Sequence, residues 1–503
     1  MITVSLNEAN FEYDIHSLVK AFYGKEDVKV FADKEKIKEL EEERTPLFHM
    51  EVSYISREES GNAQDSICFE IWKPKDGGLE KQAEAVTEAD FANRKETKNR
   101  MKQCLYRMLQ EYTGEELPWG TLTGIRPTKI PMAMLEHGES REEIRQYMKE
   151  TYYASDKKTD LSIDIAQREL ELLKKIDYEN GYSLYIGIPF CPSICLYCSF
   201  SSSPLGLWRD KVEEYLEALE KEIDNTAELC KGRVLNTIYI GGGTPTTLTA
   251  EQLDRLLTKV EESFDFSGLL EYTVEAGRPD SITREKLAAL RKHNISRVSI
   301  NPQTMKQETL DFIGRHHTVE QTIESFKLAR ELGFDNINMD LIVGLPEEQL
   351  EDVRNTMEQM KELKPDNLTV HSLAIKRAAR LRMFQNEHVD MHIHNSWEMI
   401  DMTAEYARNM GMEPYYLYRQ KNMAGNFENV GYALPGKAGI YNILIMEEKQ
   451  SIMALGAGAS TKYVFDHGKR IERVENVKDI KNYLERIDEM IARKRESFAL
   501  YMN

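Results

Sequence analysis

The stretch Gly187-Ile-Pro-Phe-Cys-Pro-Ser-Ile-Cys-Leu-Tyr-Cys-Ser-Phe200 places three cysteines within eight residues. An iron-sulfur cluster requires soft thiolate ligands, and three thiolates can hold three irons of a four-iron cubane. The fourth iron then stays open to a substrate or cofactor. Cys191, Cys195 and Cys198 are therefore candidate ligands of a 4Fe-4S cluster.

Two other uses of these cysteines are open. A structural zinc ion needs a closed tetrahedron of four ligands, but the nearest further cysteine, Cys230, stands alone. A disulfide framework is disfavoured because six cysteines in 503 residues are sparse and the start Met1-Ile-Thr-Val-Ser-Leu6 shows no apolar signal region. We therefore expect a reducing, cytoplasmic compartment, in which Cys68, Cys104 and Cys230 are buried small apolar residues.

Strand-like and helical segments alternate around and after the cysteine stretch. The segment 208–229, for example, has one apolar helix face and one charged face. Strands that alternate with amphipathic helices pair in parallel through right-handed crossovers. The predicted fold is therefore α/β, with an incomplete (β/α)6 TIM-like barrel. Its apolar, β-rich runs are 184–189, 236–241, 270–276, 296–301, 336–343 and 367–373.

The length of 503 residues allows three domains. Residues 1–176 are predicted to form an N-terminal accessory domain, α+β at first and then helical, because strand-like runs alternate with a charged helical stretch. We assign the barrel to residues 177–385. A smaller C-terminal domain that covers the barrel is predicted for 386–503.

Polar or glycine features follow the predicted strands, where barrel enzymes carry out their chemistry. The second strand leads to Gly241-Gly-Gly-Thr-Pro245, the third ends at Glu275, the fourth leads to Gln303 and the fifth carries Asp340. A glycine run lets backbone groups approach the ammonium and carboxylate of an amino acid. A carboxylate at a strand end can accept hydroxyls of a ribose, whereas a structural acid would pair with a lysine or arginine.

The spacing Cys-x3-Cys-x2-Cys with Tyr197 before the last cysteine resembles the radical S-adenosylmethionine (SAM) superfamily. The resemblance implies that the open iron is chelated by the methionine part of SAM, which is cleaved to a 5'-deoxyadenosyl radical. Further blocks over 180–385 resemble the oxygen-independent coproporphyrinogen III oxidases and related heme chaperones. These blocks are Tyr185–Cys191, Tyr239–Pro245, Thr273–Ala276, Gln303–Thr304, Leu310–His316 and Asn338–Pro346. Segments 117–129, 371–380, 419–432 and 454–460 look most like the coproporphyrinogen dehydrogenase (HemZ) branch.

This resemblance also implies roles for individual residues. Tyr185 would line the cluster and the SAM methionine, and Tyr185, Glu275 and Arg315 would be catalytic. The amino acid end of SAM would be held by Gly242, Gly243 and Thr244. The other contacts to SAM or to a second cofactor would be Tyr197, Glu275, Gln303, Arg315, Asp340 and Ala374. For His316 and His317, substrate contact and an ordinary surface position are both open.

The implied reaction is oxidative decarboxylation of coproporphyrinogen III to protoporphyrinogen IX, in heme biosynthesis, with an electron donor protein as partner. The best-known oxidases carry a further cysteine where this chain has Phe200, and the Ser-Phe ending looks more like the heme chaperones. A heme-binding chaperone therefore stays open. So does another radical SAM activity on heme, such as methyl transfer with ring opening.

The net charge of -19 argues against nucleic-acid binding, and no apolar run approaches the length of a membrane span. An anionic porphyrin substrate then requires a local basic cluster. The candidates in one short segment are Lys376, Arg377, Arg380 and Arg382. The alternative is a solvated helix face. Arg126 and Lys129 are a second, weaker candidate.

Overall fold

The computed structural model describes residues 1–24, 26–56, 64–75, 78–374, 393–420 and 427–502. The chain forms two compact units. Unit 1 consists of Met1–Ala166 and Tyr418–Glu428, and unit 2 consists of Gln167–Leu417 and Asn429–Asn503. Among the described residues, no helix has both the length and the apolar character that a bilayer crossing requires.

Unit 1 is built on a five-stranded sheet with the order β2-β1-β3-β4-β5. Side chains alternate between buried and partly exposed along its third strand, as expected when one sheet face packs on a core. The strands are β1 Ile2–Leu6, β2 Val28–Phe31, β3 His49–Ile55, β4 Asp65–Lys75 and β5 Gly78–Ala89. The helices are α1 Glu12–Phe22, α2 Lys34–Glu43, α3 Arg94–Thr113, α4 Lys129–Glu136, α5 Arg141–Tyr152 and the first part of α6 Asp156–Leu173. This is the predicted α+β arrangement.

Unit 2 contains the predicted barrel strands. Six parallel strands lie side by side in chain order, so the prediction of an incomplete (β/α)6 barrel is confirmed. They are β6 Gly181–Ile188, β9 Val234–Gly242, β10 Glu271–Glu275, β11 Arg297–Ser299, β12 Ile337–Val343 and β13 Asn367–Ser372. The helices that connect them are α7 Val212–Leu229, α8 Ala250–Ser263, α9 Arg284–Lys292, α10 Gln307–Phe312, α11 Val319–Glu331 and α12 Leu350–Leu363. Two short strands, β7 Phe190–Cys191 and β8 Ser203–Pro204, form a separate pair.

The C-terminal segment extends the barrel sheet at both edges. A strand pairs antiparallel with β13 at one edge, and another pairs parallel with β6 at the other. The segment's strands are β14 Glu413–Tyr418, β15 Asn429–Ala433, β16 Ser451–Leu455, β17 Ser460–Phe465 and β18 Arg470–Glu475. Its helices are α13 Trp397–Asn409, α14 Ile440–Glu447, α15 Ile480–Glu485 and α16 Ile487–Tyr501. The sheet thus continues across residue 385, and the division into three domains stays a prediction.

A buried carboxylate joins the C-terminal segment to the barrel. Glu222 on α7 is fully buried and accepts hydrogen bonds from Lys494 Nζ at 2.6 Å and from the Gly456 backbone N–H at 2.9 Å. A Cβ atom on Gly456 would lie 2.4 Å from the Gly187 carbonyl oxygen, so only glycine permits this approach. Tyr215 Oη donates to the same carbonyl at 2.7 Å. These contacts fix the strand that leads into the cysteine stretch.

Candidate functional site at the carboxyl ends of the barrel strands

The cysteine stretch forms a loop that turns back on itself beyond β6. Its first cysteine lies on β7, which pairs with β8 at the loop's far end, and the Cys198 N–H donates to the Cys195 carbonyl at 3.1 Å. All three cysteines are free thiols, and burial raises the pKa values of Cys191 and Cys198. Metal ligation by these cysteines therefore has to release their protons.

Hydrogen-bond donors already face the sulfurs of this loop. Thr244 Oγ1 donates to Cys191 Sγ at 3.5 Å, and Arg278 Nη1 donates to Cys195 Sγ at 3.4 Å. Thiolate sulfur accepts such bonds, and donors to sulfur are characteristic of iron-sulfur sites. The loop therefore fits a cluster held by three thiolates. Phe200, in place of the fourth cysteine of the oxidase pattern, is 74% exposed.

The glycine run lies directly against the cysteine loop. The Gly243 N–H donates to the Ile188 carbonyl and the Thr244 N–H to the Phe190 carbonyl, each at 2.7 Å. A Cβ atom on Gly243 would lie 2.5 Å from the Phe190 oxygen, and Gly242 has a φ of 104°, so both positions favour glycine. These two N–H groups donate to carbonyls at the start of the cysteine loop and are not available to a ligand. Carbonyl groups of the glycine run can still accept a hydrogen bond from a ligand.

Glu275 lies at the end of β10 and forms no salt bridge with a described residue, although the charge of the buried Arg297 acts to lower its pKa. Tyr239 Oη donates to its Oε1, and Asn301 Nδ2 donates to its Oε2 at 3.1 Å. Burial, together with the charge of Asp340, raises the pKa of Glu275 to about 7. Its carboxylate is thus poised to gain or lose a proton near neutral pH.

Asp340 on β12 stays ionised although it is close to Glu275. Burial alone raises the pKa of Asp340, but its interactions with His371 and Asn338 are stronger in sum and lower it. His371 Nε2 lies 3.8 Å from Oδ2, and Asn338 Nδ2 donates to Oδ1 at 2.8 Å. No lysine or arginine of the described ranges lies within salt-bridge distance of either acid, but the charge of the buried Arg297 acts to lower the pKa of both.

Three tyrosine rings form a column beside Glu275. Tyr185 and Tyr239 are stacked with ring centroids 6.4 Å apart, and Tyr239 and Tyr441 with centroids 4.5 Å apart. The column crosses the barrel interior from β6 through β9 to α14. Tyr185 is thereby held next to the glycine run, where its hydroxyl would lie 3.2 Å from a Cβ atom on Gly242.

Arg315 joins the cysteine loop to the strand ends. Its guanidinium is buried and donates to the Tyr197 hydroxyl at 2.9 Å and to the carbonyls of Gly277 and Asn301 at 2.7 Å each. Its buried Nε has no hydrogen-bond partner among the described residues. A buried donor without a protein partner fits a ligand that supplies an acceptor.

The structure describes some of the remaining predicted residues, and the others lie outside the described ranges. Gln303 is buried, adopts a left-handed backbone with a φ of 70° and accepts from the Ile342 N–H at 2.9 Å. Ala374 follows β13, and it is the last described residue before 393. His316 is exposed and His317 is fully buried, so the surface alternative fits the first alone. The basic residues Lys376, Arg377, Arg380 and Arg382 lie outside the described residues.

Comparison with known proteins decides the family. The pattern described as "Radical SAM superfamily" matches residues 185–360. The oxygen-independent coproporphyrinogen-III oxidase-like protein HemZ of Bacillus subtilis is 43% identical over 398 residues, which cover 78% of this chain and 79% of that protein. The chain belongs to this radical SAM family. The cofactors of the superfamily, and of this member, are a 4Fe-4S cluster and SAM.

Other members of the family have two different names. The heme chaperone HemW of Bacillus subtilis is 40% identical over 195 residues, 39% of this chain and 51% of that protein. The solved structure of the coproporphyrinogen III oxidase HemN of Escherichia coli matches with a TM-score of 0.51 and 24% identity, over 64% of this chain and 73% of HemN. The HemN structure thus supports the barrel fold of this radical SAM protein. The chain is related to both oxidases and chaperones.

Three residues of the candidate site in this radical SAM protein were given no role from the sequence. Tyr239 opens one of the motif blocks, Arg278 follows another by two residues, and Asn301 ends a predicted strand. Position at a strand end was an available signal for all three. Their partners Glu275 and Cys195 lie between 26 and 83 residues away in the sequence, so the contacts themselves were not visible.

Proposed function

We propose that this protein catalyses the oxygen-independent oxidative decarboxylation of coproporphyrinogen III to protoporphyrinogen IX. When bound, the cluster and SAM supply a 5'-deoxyadenosyl radical. Each of two propionates loses a hydrogen atom from the carbon nearer the ring, then CO2, and finally one electron to an external acceptor, which leaves a vinyl group. An external one-electron donor protein supplies the electron that SAM cleavage consumes. The observation that carries the proposal is a three-thiol loop packed against the glycine run, in a barrel whose strand ends also hold two buried acids.

The chain's own residues bind and orient the cofactors in this proposal. Cys191, Cys195 and Cys198 are the cluster ligands. The carbonyl groups of Gly242 and Gly243 accept from the SAM ammonium, because the N–H groups of Gly243 and Thr244 already bond to the cysteine loop and the Thr244 carbonyl already accepts from Thr247. Tyr185 lines the same place.

The strand-end polar groups bind the rest of SAM. Glu275 and Asp340 accept from ribose hydroxyls or the ammonium, and Arg315 donates through its buried Nε. Gln303 and Ala374 line the same strand ends, and Tyr197 is held in place by Arg315. Enclosure by these residues excludes water and positions one C–H bond for hydrogen transfer.

Removal of the Tyr239 hydroxyl tests whether Glu275 binds SAM. Tyr239→Phe keeps the stacked ring but removes the donor that favours the ionised carboxylate, so the pKa of Glu275 rises further above its usual value. We expect the free energy of SAM binding near neutral pH to weaken by about 1 kcal/mol, which is the net contribution of one hydrogen bond. Tyr272→Phe is the matched control. The Tyr272 hydroxyl, on the neighbouring strand β10, is buried like that of Tyr239, but it has no hydrogen-bond partner in the described chain. Equal SAM affinity of both variants would contradict the role of Glu275.

A product analysis tests the reaction. Full-length protein reconstituted anaerobically with iron and sulfide is incubated with SAM, a reductant, an electron acceptor and coproporphyrinogen III. Two decarboxylations lower the substrate mass by two CO2 and the associated hydrogens, which mass spectrometry detects. SAM cleavage without any change of the porphyrinogen would refute the proposed substrate.

A heme-binding chaperone is the second candidate, favoured by Phe200 in place of a fourth cysteine and by the likeness to HemW. A chaperone of this kind keeps the cluster but transfers heme. Heme absorbance after anaerobic mixing, transfer to an apoprotein and absence of vinyl product would favour it. A heme absorbance spectrum that the protein leaves identical to that of free heme would exclude it.

The basic segment is a prediction from the sequence alone. Arg377→Ala with Arg380→Ala should raise the apparent Michaelis constant for coproporphyrinogen, since each charge-assisted contact to a propionate contributes about 1.5 to 3 kcal/mol when well placed. SAM cleavage without porphyrin should keep its rate, and this rate is the internal control. Unchanged porphyrin kinetics would assign the segment to the solvated surface.

A further inference from the structure

We propose that Arg278 raises the reduction potential of the cluster by donating a hydrogen bond to the Cys195 thiolate. The inference deepens the proposed function and rests on the assignment of Cys195 as a cluster ligand. Arg278 is a positioning residue in this role, because it acts on the cluster through the cysteine.

The guanidinium of Arg278 is held rigidly under the cysteine loop. The residue is 4% exposed, and its Nη1 lies 3.4 Å from both Cys195 Sγ and the Ser193 carbonyl oxygen. Its Nη2 donates to Ser193 Oγ at 3.1 Å. The opposite edge binds Asp280 in bidentate fashion, with Nε and Nη2 at 3.0 and 2.8 Å. This fork leaves the Nη1 edge pointed at the sulfur.

The backbone places the arginine where the barrel strand meets the loop. Arg278 follows β10 by three residues, and its carbonyl accepts from the N–H and hydroxyl of Ser281 at 2.9 and 2.7 Å. This turn reverses the chain directly after the strand end. The side chain therefore reaches the loop from a fixed base rather than from a mobile segment.

Reduction by one electron adds one negative charge to a centre that three thiolates already make anionic. A buried cation that donates to one thiolate stabilises the more negative state and shifts the reduction equilibrium toward it. Asp280 opposes this effect, but its side chain is 18% exposed against 5% for Arg278 and lies on the far edge. The Cys195 sulfur is therefore closer to the positive guanidinium of Arg278 than to the Asp280 carboxylate with which Arg278 pairs.

Neighbouring groups do not replace this interaction. Arg315 donates to the Tyr197 hydroxyl and to two carbonyls. Burial and the charge of Arg315 lower the pKa of His317 to about 3, so this imidazole is neutral near pH 7. In the described part of unit 2, Arg278 is the charged side chain that donates to a sulfur of the loop.

The test is a potentiometric titration of the reconstituted full-length protein, with the reduced cluster followed by electron paramagnetic resonance. It needs neither porphyrin nor turnover. Arg278→Gln should move the midpoint to a more negative potential, by roughly a tenfold change in the reduction equilibrium, which is about 59 mV for one electron. Asp280→Asn should move it the opposite way, because the opposing carboxylate is lost. Arg255→Gln, on α8 and paired with Glu220, is the control with no shift.

The outcomes separate the two proposals. Wild-type protein that holds no cluster would refute the proposed function itself. A cluster with unchanged potential in Arg278→Gln and Asp280→Asn would overturn only the role of Arg278. If Arg278→Gln fails to retain iron, Asp280→Asn decides alone: a positive shift supports the inference, and no shift or a negative shift overturns it.

Discussion

Alanine in place of Cys191, Cys195 or Cys198 should abolish both the visible absorption of the cluster and SAM cleavage. Each thiolate is expected to hold one iron, and a cubane left with two protein ligands is poorly retained. The measurement is iron and sulfide content after anaerobic reconstitution, with methionine and 5'-deoxyadenosine quantified by chromatography. Each single variant should lose the signal completely, because the three sites act as a unit.

The other three cysteines provide matched controls. Cys104 and Cys230 are buried, and Cys230 lies at the end of α7, so Cys104→Ala and Cys230→Ala change apolar packing but no cluster ligand. Both variants should keep full iron content and SAM cleavage. Iron loss in either one at unchanged folding would contradict the three-thiol assignment.

Cys68 is the most stringent control because it has potential ligands around it. The Cys68 sulfur and carboxylate oxygens of Glu70 and Glu84 lie within 4.8 Å of one another on the sheet of unit 1. Lys81 forms ion pairs with both carboxylates, at 2.6 Å for Glu84, and so offsets part of their negative charge without a metal. Cys68→Ala should therefore leave the iron content unchanged, which would place all cluster iron at the loop.

The barrel was readable from the sequence because its strands are short apolar runs between amphipathic helices. The predicted run 336–343 corresponds to β12 Ile337–Val343, and 367–373 to β13 Asn367–Ser372. The predicted run 296–301 is longer than β11 Arg297–Ser299. There, the chain leaves regular pairing and Gln303 bridges to Leu341 in a left-handed conformation, a detail that hydrophobic pattern does not encode.

Hydrogen-bond and strand partners that lie far apart in the chain could not be predicted from the sequence. The glycine run was expected to offer its backbone to a ligand, but two of its N–H groups bond to Ile188 and Phe190, more than 50 residues earlier in the sequence. The sequence predicts a C-terminal domain that covers the barrel, but it did not indicate that β15 and β16 pair with opposite edges of the barrel sheet. Periodicity identifies a strand but carries no information on which edge it joins.

The two strand-end acids should dominate SAM affinity. Glu275→Gln and Asp340→Asn should each weaken binding by about 1 to 3 kcal/mol, roughly 5- to 150-fold, because a charge-assisted hydrogen bond is lost at nearly constant volume. Isothermal titration calorimetry on the reconstituted protein measures the change, with iron content as the check that the cluster is retained. Glu220→Gln, which alters an acid paired with Arg255 on the outer helices, should bind SAM like the wild type.

The pH dependence distinguishes the two acids. Burial and the charge of Asp340 raise the pKa of Glu275 to about 7, and only its ionised form accepts from ribose or ammonium through both oxygens. Wild-type affinity should therefore fall as pH decreases through 7, because protons then compete with SAM for this carboxylate. Glu275→Gln should remove that dependence. Asp340→Asn should keep it but move its midpoint to lower pH, since the charge that raises the pKa of Glu275 is gone. A wild-type affinity that does not vary between about pH 6 and about pH 8 would refute the contact between Glu275 and SAM.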